Sequence, residues 1–116
     1  MNETATRKTV LCRLDELEVP DAKGFILGKG AARRRVFVVH DASGIYAYEN
    51  ACPHSRGPLD WFPDQFLSID RTHIQCTLHG SLFRIRDGLC VFGPCVGDRL
   101  KPVKIAVIDD AIAVTE

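Results

Sequence analysis

Arg35-Val36-Phe37-Val38-Val39-His40, Asp41-Ala42-Ser43-Gly44 and Ile45-Tyr46-Ala47-Tyr48-Glu49 read as strand, turn and strand. β-Branched and aromatic residues fill both arms, and aspartate at the start of the turn with glycine at its end suits a tight reversal. The returning arm runs straight into Ala51-Cys52-Pro53-His54-Ser55-Arg56-Gly57-Pro58. Cys52 and His54 therefore sit where a strand ends and a loop begins.

Working outward, residues 10–14 suggest a first short strand, followed by a polar, proline-containing link over 15–23. Residues 24–27 suggest a second strand, closed by Gly28-Lys29-Gly30. Residues 53–65 carry three prolines and no periodicity, which predicts a loop with one short turn of helix. Residues 66–69 and 73–75 read as strands that lead into Gln75-Cys76-Thr77-Leu78-His79-Gly80-Ser81. Hairpins follow at 81–86 with 89–92, turning at Asp87-Gly88, and at 104–108 with 111–114, turning at Asp109-Asp110. No segment keeps a helical apolar stripe for three turns, so the class is all-β, antiparallel, in one domain spanning 1–116.

The bulk numbers narrow the function. The chain has 116 residues, 46% hydrophobic and 26% charged, an ordinary globular composition in a length that leaves no room for a separate cofactor domain. Fifteen basic residues balance fifteen acidic ones, which argues against nucleic acid or an anionic membrane as partner. No stretch is apolar enough for a signal peptide or a membrane span, and the expected location is the cytoplasm. There, five cysteines serve metals or cores better than disulfides.

Cys52, His54, Cys76 and His79 are the candidate metal ligands. Each loop supplies one thiolate and one imidazole within a single turn, and glycine follows in both, letting the backbone aim amide N–H groups at buried sulfur. The donor set suits an iron–sulfur cluster or zinc. Zinc sites usually pair like with like, whereas one of each per loop suits two irons, one taking both thiolates and the other both imidazoles.

These two motifs resemble the ligand loops of the Rieske family, and Gly93-Pro94-Cys95 resembles its third, proline-bearing loop. The resemblance implies one 2Fe–2S cluster per chain, held by Cys52, His54, Cys76 and His79. Ser55, Arg56, Gly57, Leu78, Gly80, Ser81 and Pro94 would surround it. It also implies a β base (1–50 and 97–116) carrying a cluster-binding subdomain at about 51–96. The implied function is electron transfer from a flavin-containing reductase to a terminal oxygenase or similar acceptor, by a monomer without catalysis of its own. A small subunit of a nitrite-reductase-like enzyme is the related alternative, and a zinc-stabilised interaction module the unrelated one.

The sequence departs from the respiratory-chain type, in which an extra cysteine in each loop forms a disulfide; the matching positions here are Gly57 and Leu78. Ser81 keeps a hydroxyl that donates to the cluster in that type, but Phe83 stands where its tyrosine would. Family potentials span about −150 to +300 mV. Without the disulfide or the tyrosine donor, the lower half of that range is expected, falling as pH rises in the alkaline range if His54 and His79 titrate.

Other residues carry blander expectations. Cys12 reads as core, Cys90 and Cys95 as free thiols, and His40 and His73 as surface residues. Arg33, Arg34, Arg35, Arg56, Arg84 and Arg86 read as a solvated face, with a docking patch as the alternative. Trp61 and Phe62 fit an apolar collar or core plugs equally well.

Overall fold

The computed structural model describes residues 9–28, 30–53, 56–60, 62–77 and 80–115. Among the described residues, nine strands form three antiparallel three-stranded sheets. The strands β1 (Thr9–Arg13), β8 (Ile105–Ile108) and β9 (Ala111–Val114) make one sheet in the order β1-β9-β8. A second comprises β2 (Asp21–Leu27), β3 (Arg34–Asp41) and β4 (Gly44–Glu49) in chain order. The third contains the very short β5 (Ile74–Gln75), β6 (Leu82–Phe83) and β7 (Cys90–Phe92). Two single-turn 3₁₀ helices, Leu14–Glu16 and Gly30–Ala32, complete the regular structure of the described residues.

The β3–β4 hairpin is the centre of the molecule. Val36, Phe37, Val38 and Val39 of β3 are all fully buried, which explains an apolar run without alternation. Strand pleating sends alternate residues to opposite faces. Val36 and Val38 enter one core with Cys12, Leu17, Val103 and Ile112, sandwiched against β1 and β9. Phe37 and Val39 enter a second core with Cys52, Leu59, Phe66, Cys76 and Phe83. The middle sheet thus joins the β1-β9-β8 sheet to the two cysteine-bearing loops.

Phe37 and Phe66 stack with ring centroids 4.3 Å apart and planes 3° from parallel. Gly24, opposite Phe37 in the register, makes room for this: a Cβ there would lie 3.1 Å from Phe66 Cζ. Tyr48 OH donates to the Ile85 carbonyl at 2.5 Å and so ties β4 to the β6–β7 hairpin. Burial is the main reason its phenol is held well above the usual range.

Three backbone expectations are corrected. The last three residues of the polar link at 15–23 are strand, because β2 begins at Asp21 and pairs from Asp21↔His40 onward, with Ala22 buried. Residues 66–69 form only a single bridge, Leu67↔Ile74, since β5 is two residues long and offers nothing further to pair with. Among the described residues of 53–65 there are turns and no helix. Of the remaining side chains, Cys12 is core as expected, and Phe62 is 56% exposed, a collar position; Trp61 lies outside the described residues. His40 is half-buried, its Nδ1 donating to the Leu17 carbonyl at 3.1 Å, so it fastens the turn after β1 rather than decorating the surface.

The β6–β7 turn carries an acid-sensitive lock. Asp87 accepts from Arg84 Nε at 3.0 Å and from the Leu89 N–H at 3.0 Å, and a second Arg84 nitrogen bonds its other oxygen. The guanidinium, chiefly, holds the Asp87 carboxyl down at about 2, below its ordinary 3.8. Because the folded value is depressed, this stabilisation is complete above about pH 4 and is lost as pH falls towards 2. Asp87→Asn should therefore flatten the decline in urea midpoint between pH 5 and pH 3; a decline as steep as wild type would show that other carboxylates dominate.

Candidate metal centre

β4 delivers the chain to Cys52 and β5 delivers it to Cys76; both cysteines are fully buried. The two loops share one main-chain pattern. The Cys52 N–H donates to the Gly57 carbonyl at 2.9 Å, and the Arg56 N–H donates back to the Cys52 carbonyl at 2.6 Å. At the second loop Cys76 N–H donates to Ser81 carbonyl at 2.9 Å, and Gly80 N–H to Cys76 carbonyl at 2.8 Å. The fourth residue after each cysteine is left-handed: Arg56 at φ 65° and Gly80 at φ 72°. Arg56 is a non-glycine residue in that conformation, which persists only when its surroundings hold it. Among the described residues, two loops of different sequence share one hydrogen-bonded frame.

They are also fastened to each other. Thr77 N–H donates to the Leu59 carbonyl at 3.0 Å, joining the loops directly. Asn50 closes the first loop at its neck: its side-chain oxygen accepts from Leu59 N–H at 2.7 Å while its amide donates to Asp60 at 2.9 Å. Sequence reading missed Asn50; its only signal was an amide before the loop and an aspartate after it.

The third loop presses on the second. A Cβ on Gly93 would lie 2.6 Å from Ser81 Oγ and 2.7 Å from Ser81 Cα, so only glycine fits there. Ser81 is fully buried, and its Oγ has no hydrogen-bond partner among the described residues. A buried orphan hydroxyl is costly and rare. Cys95 is buried beside it, close enough to feel both Ser81 and Cys52. Burial pushes its thiol up to about 11. Cys90 and Cys95 are both buried as free thiols.

The structure therefore places Cys52, Cys76, Arg56, Gly57, Gly80, Ser81 and Pro94 on these three loops. His54, Ser55, Leu78 and His79 lie outside the described residues, within which no group of three His, Cys, Asp or Glu side chains gathers. The donor chemistry still fits a cluster. Two buried sulfurs on matched loops, with an unpaired buried hydroxyl between them and the covering loop, offer soft ligands and a donor for bridging sulfide. Of the arginines read as a solvated face, Arg34 pairs with Glu49 at 2.7 Å and Arg84 with Asp87, while Arg33, Arg35, Arg56 and Arg86 are exposed.

Comparison with known proteins agrees with this geometry. The model of the Rieske [2Fe-2S] domain matches residues 7–114. The ferredoxin of carbazole 1,9a-dioxygenase from Nocardioides aromaticivorans IC177 is similar at 26% identity and TM-score 0.70, over 92% of this chain and 95% of that one. A Sphingomonas yanoikuyae B1 ferredoxin shares the fold at 19% identity and TM-score 0.70, over 95% and 99%. So does the terminal oxygenase of carbazole 1,9a-dioxygenase from Novosphingobium sp. KA1, at 16% identity and TM-score 0.75, over 93% of this chain but 29% of that one. No curated protein matches. Zinc is thereby set aside: the chain belongs to the Rieske [2Fe-2S] domain family, is an electron-transfer protein, and its cofactor is a 2Fe–2S cluster.

Proposed function

We propose that the cluster is held by the Cys52 and Cys76 thiolates on one iron and the His54 and His79 imidazoles on the other. The chain would then carry single electrons from a flavin-containing reductase to a terminal oxygenase, in the cytoplasm and without catalysis of its own. The observation that carries the ligand assignment is the matched pair of loops, each burying one cysteine in the same hydrogen-bonded frame. The carrier role is supported by the likeness to the N. aromaticivorans ferredoxin, 26% identical over 92% of this chain.

When bound, the cluster supplies a one-electron couple. The chain's own residues set its surroundings. Cys52 and Cys76 are removed from water, and the bonds from Thr77 to Leu59 and from Leu59 to Asn50 hold the loops at fixed separation. Ser81 Oγ is available to donate to sulfur, while Phe83, fully buried, brings no hydroxyl. Phe62, Phe92 and Val96, at 56%, 63% and 62% exposure, give the partners an apolar rim to dock against.

Redox titration followed by electron paramagnetic resonance tests this reading. A red-brown protein should give a reduced-state signal, with a potential in the lower half of about −150 to +300 mV that falls with alkaline pH. Mixed with a flavoprotein reductase and a Rieske oxygenase, it should sustain turnover. A potential above about +200 mV, or one independent of pH, would contradict the ligand environment drawn here.

A further inference from the structure

Cys90 and Cys95 belong to neither matched loop. Cys90 opens β7, and Cys95 lies in the turn that follows it; between them runs the segment whose Gly93 rests on Ser81. Both are buried, at 1% and 3% exposure. The Cys95 thiol donates to Cys90 Sγ at 3.1 Å, and the Cys90 thiol points to the Phe92 carbonyl at 3.3 Å. A disulfide has its sulfurs about 2.05 Å apart. Closing the bridge therefore asks for a shift of about 1 Å between sulfurs already in contact. The backbone around them is set: Cys90 N–H donates to Asp98 carbonyl, Gly97 N–H to Cys90 carbonyl and Asp98 N–H to Cys95 carbonyl, at 2.8, 3.2 and 2.9 Å.

We propose that Cys90 and Cys95 are a reversible disulfide site in the covering loop, closed by exchange with a small disulfide of the glutathione class. Because both sulfurs are buried, local opening of the covering loop exposes one protein thiolate, which attacks the small disulfide, whose S–S bond breaks and releases one small thiol. The second protein thiolate displaces the other, and the Cys90–Cys95 bond forms. The protein pair loses two protons and two electrons; the small disulfide gains both and leaves as two thiols. The bridge staples the two ends of the segment that covers Ser81, and so clamps it over the second loop.

Trypsin should cut after Arg86 and Arg99, so one peptide, residues 87–99, holds both cysteines. The cluster-loaded protein is incubated with excess oxidised glutathione, acid-quenched, denatured, alkylated and digested. Peptide 87–99 is expected to lose both alkylation sites and two hydrogens, and to regain both sites after dithiothreitol. A peptide that stays doubly alkylated, or that carries glutathione, overturns the proposal. This readout does not depend on which residues hold the cluster. Iron release to a chelator should be slower from the bridged form than from the reduced one, and Cys90→Ser should abolish the difference; equal rates in the wild type would overturn the clamp.

Discussion

Cys76→Ala is expected to yield a colourless protein with essentially no iron, whose β1-β9-β8 and β2-β3-β4 sheets still form. The sulfur it removes is fully buried at the start of the second matched loop, where methyl and water offer no soft anionic ligand. The flanking frame, Cys76 N–H to Ser81 and Gly80 N–H to Cys76 carbonyl, is made by backbone and survives the change. Loss of iron should therefore come without collapse of the base, whose core of Val36, Val38 and Ile112 lies on the other face of β3. The chain's other buried cysteines provide the control. Cys12 belongs to that distant core and Cys90 to the covering loop, so Cys12→Ala and Cys90→Ala should stay coloured. Iron per chain and the visible spectrum of the variants decide it. A coloured Cys76→Ala protein, or a colourless Cys12→Ala one that remains folded, would remove the basis of the ligand assignment.

The order of hairpins was legible because turn chemistry and alternation act locally. Asp41 to Gly44 and Asp87-Gly88 announce reversals from a few residues alone. Both cysteine-bearing loops were legible as candidate ligand loops for the same reason: cysteine and histidine within one turn have few other uses. What escaped depends on contacts distant in sequence. β2 reaches back to Asp21 because β3 offers partners there, not because Asp21-Ala22-Lys23 favours a strand. The third sheet survives on strands of two or three residues because Phe83, Ile74 and Cys90 are buried in a common core. The shared frame of the two loops was invisible, since the left-handed position is Gly80 in one and Arg56 in the other. Nothing near Gly93 announced that its missing side chain is required by Ser81, a residue in a different loop.

Gly93→Ala is expected to cost about 3–5 kcal/mol, which is severe for one methyl group. Two terms add. At φ +103° an alanine is strained wherever it sits, by about 1–2 kcal/mol. The methyl would also lie 2.7 Å from Ser81 Cα, a backbone atom that cannot rotate aside, and 2.6 Å from Ser81 Oγ. Relief requires the covering loop and the second ligand loop to separate, which opens the site to water. Gly97→Ala isolates the first term, because Gly97 has φ +96° and nothing lies within 4 Å of its added Cβ. It should lose only about 1–2 kcal/mol and keep its cluster. Urea midpoints and the rate of iron loss to a chelator separate the two variants: Gly93→Ala should unfold at distinctly lower urea and release iron faster, while Gly97→Ala releases it at the wild-type rate. If both variants lose the same stability and the same iron, the contact between Gly93 and Ser81 contributes nothing, and the covering loop does not guard the site.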